Sequence, residues 1–112
     1  MEERRKHTRF PAPEMSYMVG LSSPALITDI SNGGLGVRYK GGEELPEEFI
    51  VDLLHASKSV IIDQVKCRKT RDETKMKVTV FSYIPERRLG LQFLEPSSMM
   101  LDSLQLFKGK EN

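Results

Sequence analysis

Two clusters in this chain combine residue types that can do chemistry together. Arg4, Arg5, Lys6 and Arg9 crowd into the opening stretch "ERRKHTRF", and Arg5 and Arg9 have the spacing R-x-x-x-R. About twenty residues later, "DISNGG" sets Asp29, Ser31 and Gly34 in the spacing D-x-S-x-x-G. Arginine forks donate in pairs to phosphate oxygens or to the O6/N7 edge of guanine, and their flat faces stack on purine rings. A carboxylate supplies what arginine lacks, because it accepts from guanine N1–H and N2–H₂ together. A serine hydroxyl adds an adaptable bond, and a glycine lets backbone come close to a flat base. Taken as one site, the clusters fit a guanine nucleotide with exposed phosphates. Taken singly, each has a plainer reading. A basic chain end is usually a solvated tail, and "DISNGG" is usually a turn whose Asp29 or Ser31 bonds local amides.

No catalytic constellation accompanies them. His7, His55 and Cys67 lie far apart without metal-ligand spacing. Ser31 with His7 and Asp29 makes a poor triad: there is no G-x-S-x-G elbow, and Asp29 and Ser31 sit side by side with no base between them. "GGLG" runs into a strand-like stretch, and no Walker lysine is present. Cys67 reads as a small core residue. The expectation is a binding protein, not an enzyme, with no metal and no cofactor beyond its ligand.

The bulk properties agree. A chain of 112 residues is long enough for one domain with a real core. Its 38% hydrophobic and 29% charged residues fit an ordinary globular protein. The net charge of +1 means that attraction for phosphate must be local. One cysteine excludes an internal disulfide, as suits a reducing compartment. Neither a secretory leader nor an apolar run of membrane-spanning length is present. A cytoplasmic location without direct membrane insertion is therefore expected.

The elements that must position the clusters read mainly as strands. Residues 1–12 end in "FPAP", whose prolines resist helix and central strand alike, so an extended, flexible lead-in is expected there, with the domain proper at 13–112. "MSYMVGL" and "ALITDIS" are strand formers, and "SNGG" is turn chemistry. "LGVRYK" alternates, with Leu35, Val37 and Tyr39 on one face. "FIVDLL" groups Phe49, Val51 and Leu53; "SVIIDQVKCRK" groups Ile61, Val65 and Cys67. "TRDET" reads as a polar turn into "KMKVTVFSYI", where Met76, Val78 and Val80 share a face. "LGLQFL" then aligns Leu89, Leu91 and Phe93. Short strands at this spacing predict an all-β barrel or sandwich. Near the end the period changes: Met100, Leu101, Leu104 and Phe107 form one helical stripe, predicting a single helix at about 97–108, with Pro96 or Ser97 at its start.

The pair of motifs, in this order on a β-rich chain of this length, resembles the PilZ domain family. "RKHTR" matches its R-x-x-x-R motif, "DISNGG" its [D/N]-x-S-x-x-G motif, and "RLGLQFL" with the helix after it resembles the family's closing strand and C-terminal helix. The resemblance implies a small antiparallel barrel, six- to seven-stranded and of split-barrel type, that binds cyclic di-GMP. It implies that Arg5 and Arg9 grip phosphates and guanine edges, that Asp29 and Ser31 read a guanine edge from the barrel, and that Gly34 shapes the turn. Arg4 is similar to a position that influences whether one ligand or a stacked pair binds. A downstream protein partner is implied as well, in motility, adhesion or exopolysaccharide systems. Two other classes fit a small barrel: a binder of single-stranded nucleic acid, disfavoured by the near-neutral charge and the absence of tryptophan, and a ligand-free docking scaffold. Fixing Arg5 to Arg9 costs on the order of 5–10 kcal/mol, and four charge-assisted bonds return about 6–12 kcal/mol. The N-terminal cluster alone barely breaks even, so the surplus must come from groups already fixed on the barrel.

Overall fold

The computed structural model describes residues 10–12, 15–78 and 83–107. Seven strands run β1 Phe10–Pro11, β2 Ser16–Val19, β3 Ala25–Ile30, β4 Gly34–Tyr39, β5 Glu48–His55, β6 Val60–Val78 and β7 Tyr83–Phe93, followed by one helix, α1 Ser98–Leu104. All described pairings are antiparallel. The sheet order β3-β2-β5-β6-β7-β4 closes on itself through the β3–β4 pairing, which gives a six-stranded barrel and removes its open edges. β1 is the seventh strand. It lies along the end of β3, with Phe10 opposite Ile30 and Pro11 opposite Asp29.

Alternation builds the core as expected over most of the barrel. Leu35, Val37, Tyr39, Val51, Leu53, Leu89, Leu91 and Phe93 all point inward and are buried, while Phe49 is half-buried. Cys67 is also a core residue, and burial pushes its thiol up to about 12, far from a reactive thiolate. The helix starts at an N-cap on Ser97, whose hydroxyl accepts from the Met100 amide at 3.1 Å. It continues as a 3-10 turn over Gln105–Phe107, and Leu104 and Phe107 are fully buried. Phe107 stacks at a tilt on buried His55, with ring centroids 5.7 Å apart. No helix among the described residues is long and apolar enough to cross a membrane.

Two expectations are corrected. "TRDET" is not a turn: β6 continues through it to Val78, and β7 resumes at Tyr83. The stretch is polar because it is the outer part of a long ribbon held by charge pairs rather than by a core. Arg87 bonds both Asp72 oxygens at 2.9 Å, and Arg38 reaches Glu86 at 3.1 Å. The inward residue at the start of β6 is Ile62, 8% exposed, while Ile61 is 66% exposed. A bulge explains this, because Leu53 pairs with Ile62 but Val51 with Val65, so one extra residue shifts the parity. Residues 10–12 are fastened to the barrel: β1 pairs with β3, and the Ala12 amide donates to the Thr28 carbonyl at 3.2 Å. Pro11 is tolerated because β1 is a short outer strand. The side chains of Met76, Val78 and Val80 lie outside the described residues.

Candidate functional site

The "DISNGG" motif forms the corner between β3 and β4. Ser31 is buried, 3% exposed, and organises that corner. Its hydroxyl accepts from the Gly33 and Gly34 amides at 3.2 Å each and lies 3.3 Å from the Gly34 carbonyl as donor. Its own amide donates to the same carbonyl at 2.9 Å. Gly34 is required by a close approach: a Cβ there would sit 2.0 Å from the Leu91 carbonyl oxygen of β7. Both residues fix the loop from behind. The outward group of the motif is Asp29, half-buried on the outer face of β3.

Asp29 opens onto a cleft of about 240 Å³ across the outer faces of four strands, lined by Thr28, Asp29, Gly36, Thr70, Arg71, Arg88 and Gly90 among others. Thr28 donates to Asp29 Oδ2 at 3.3 Å and to the Gly36 carbonyl at 3.1 Å. A Cβ on Gly36 would lie 2.7 Å from Asp29 Oδ2, so that glycine leaves the carboxylate its place. Arg71 and Arg88 bring positive charge to the other side. Arg71 pairs with Glu73 at 3.1 Å on the surface, and Arg88 donates to Glu86 at 3.3 Å, while its Nε is buried without a hydrogen-bond partner among the described residues. The cleft thus joins one acceptor edge to a cationic edge, a combination suited to a polar, flat ligand bearing negative charge. Among the described residues no group of three His, Cys, Asp or Glu is gathered to hold a metal ion.

Arg4, Arg5 and Arg9 lie outside the described residues. The residue that follows Arg9 in the chain, Phe10, pairs with Ile30, between Asp29 and Ser31. Sequence reasoning missed Gly36, Gly90, Thr70, Arg71 and Arg88. A signal for the glycines is present: in "LGV" and "LGL" each stands between two core residues of a strand, at an outward position where nothing local calls for glycine.

No family model and no curated protein matches the chain. Solved structures do. The PilZ domain of YcgR from Escherichia coli with c-di-GMP has a TM-score of 0.70 at 20% identity, over 92% of this chain and 87% of that one. The K. pneumonia MrkH–c-di-GMP complex gives 0.71 at 17% identity, over 94% of this chain and 51% of that one. A further structure, described as MrkH, a novel c-di-GMP dependence transcription regulatory factor, gives 0.69 at 15% identity, over 92% and 49%. The chain therefore has the PilZ-type fold, and it spans about half the length of MrkH.

Proposed function

We propose that this chain is a receptor domain for cyclic di-GMP. In this reading Arg5 and Arg9 grip phosphate and guanine edges, Asp29 accepts from a guanine edge, and Ser31 and Gly34 hold the loop that presents Asp29. Arg4 favours a stacked ligand pair over a single molecule. The observation that carries the reading is the β1–β3 pairing: Phe10, the residue that follows the basic cluster in the chain, is hydrogen-bonded in register beside the strand holding Asp29. Fold neighbours solved with c-di-GMP support it. Ligand bridges the N-terminal segment and the barrel, and the resulting surface acts on a protein partner. Such a device is a binding switch and needs no catalysis.

Calorimetric titration with cyclic di-GMP, beside GMP and a short oligonucleotide, tests this. Saturable binding of cyclic di-GMP alone is expected, weakened at least about tenfold by Arg9→Ala and by Asp29→Ala. Arg4→Leu is expected to lower the ligand-to-protein ratio. Binding of the oligonucleotide instead, or of nothing, overturns the reading.

A further inference from the structure

Asp29 accounts for Gly36, whose missing Cβ leaves room for its carboxylate, but neither motif accounts for Gly90. Gly36 of β4 and Gly90 of β7 are directly paired across the ladder. The row continues to Asp29 of β3, paired with Gly36, and to Arg71 of β6, paired with Gly90. Four adjacent strands therefore present carboxylate, glycine, glycine, guanidinium in one line. Neither glycine has the positive φ that would explain it as a conformational device. Glycine inside a strand weakens it, and it marks a place where another group comes close to the backbone. Both flanking strands are irregular at this level: the register shifts between Ile27 and Asp29 on β3 and between Lys69 and Arg71 on β6, bringing Thr28 and Thr70 to the cleft wall. Bulges at such positions re-aim side chains beside functional sites.

We propose that Gly90, beside the Asp29 carboxylate that lies against Gly36, is the floor of a subsite for a flat ring, and that Arg71 reads the O6/N7 edge of a guanine lying on it. This inference rests on the receptor reading above. Asp29 of β3 and Arg71 of β6 line one cleft of about 240 Å³, which a bicyclic base can enter with a hydrogen bond to a short carboxylate on one side and a long guanidinium on the other. Asp29 takes the donor edge of guanine. Arg71 takes the edge with two acceptors, where adenine presents one acceptor and one donor. Arg71 is available for this, because its pairing with Glu73 is a half-exposed surface contact of a kind that holds a side chain only weakly. The floor itself is sensitive to side chains, since a Cβ on Gly90 would lie 3.1 Å from the Arg71 Cβ and 3.2 Å from Thr70 Oγ1.

The test titrates the full chain and its variants with cyclic di-GMP and cyclic di-AMP. Arg71→Met is expected to weaken cyclic di-GMP about tenfold and leave cyclic di-AMP nearly unchanged, so that discrimination narrows. Gly90→Val is expected to weaken both dinucleotides at least about tenfold by raising the floor. A thermal melt checks that each variant is folded, and where Gly90→Val is not, Gly90→Ala carries the test with the same direction. If Asp29→Ala loses binding while Arg71→Met or the folded glycine variant keeps the parent's affinity and discrimination, this inference falls and the receptor reading stands. A parent chain that binds neither dinucleotide overturns both.

Discussion

Ser31 and Gly34 are adjacent members of one motif, yet physical roles divide them from Asp29. Ser31 spends its hydroxyl on two amides and a carbonyl of its own turn. Gly34 is held to glycine by the neighbouring strand, not by a dihedral angle, since a Cβ would meet the Leu91 backbone. A backbone neighbour cannot rotate away as a side chain can. Gly34→Ala is therefore expected to cost about 3 kcal/mol through forced separation of β4 from β7. Ser31→Ala is expected to cost about 1–2 kcal/mol from lost hydrogen bonds. Both variants lose affinity and thermal stability together, whereas Asp29→Asn, which keeps its shape but changes an acceptor into a mixed donor and acceptor, loses affinity and moves the melting temperature least of the three. Parallel melts and titrations decide this. An unchanged melting temperature for Gly34→Ala would show that β7 does not press on it as described. The motif residues were legible in the sequence because their types and spacing are local. Which of them supports and which faces outward was not legible, because that depends on β7, nearly sixty residues further on.

The strands themselves were mostly legible, since alternation survives in β4, β5 and the inner part of β7. Alternation fails wherever a bulge changes its parity. β6 shows the cause at Gln64, which has φ of 56° and whose amide donates to Asp52 Oδ1 at 3.0 Å. The left-handed conformation costs an ordinary residue roughly 1–2 kcal/mol, and the extra residue moves Ile62 inward in place of Ile61. No local pattern distinguishes "SVIID" with one isoleucine inward from the same letters with the other. The pairing with β5 decides it. The polar stretch 70–74 reads as a turn in the sequence for a related reason: strand formation there depends on cross-strand partners such as Asp72 with Arg87, which are remote in sequence. Because Gln64 is strained by its conformation and not by its packing, Gln64→Gly is expected to raise stability by about 0.5 kcal/mol, the relief of the left-handed backbone exceeding the usual penalty of a strand glycine. Gln64→Ala gives no such gain. Urea unfolding midpoints compare the two, and equal midpoints would remove the bulge strain from the account.

For the molecule as a whole, ionised groups tie two loops together at the end of the barrel away from the "DISNGG" corner. Tyr39 at the end of β4 donates to Glu43 Oε2, and Ser22 donates to Glu43 Oε1 at 2.8 Å, which ties the β2–β3 loop to the β4–β5 loop. Arg87 holds the same loop through the Gly41 and Glu43 carbonyls at 2.9 and 2.7 Å, and it lies over the Tyr39 ring at 5.6 Å. The Tyr39 hydrogen bond, helped by Ser22, lowers the Glu43 carboxyl from 4.5 to about 2. The Arg87 fork likewise lowers Asp72 from its ordinary 3.8. A carboxylate with a depressed folded value binds fewer protons folded than unfolded between its two values, so its contribution is complete above the unfolded value and disappears as pH falls through the folded one. Thermal stability should thus hold steady from neutral pH down to about 4.5 and then fall toward about 2 as Glu43 loses its charge. Glu43→Gln removes one charged acceptor, so it is expected to melt lower than the parent at pH 7 and to show a shallower fall across that acid window. Melting temperatures of the two proteins measured from pH 7 to pH 2 test the coupling. Curves that stay parallel throughout would mean that the charge of Glu43 does not stabilise the Tyr39–Glu43–Ser22 tie, and that the Arg87 contacts to the loop carbonyls hold the two loops by themselves.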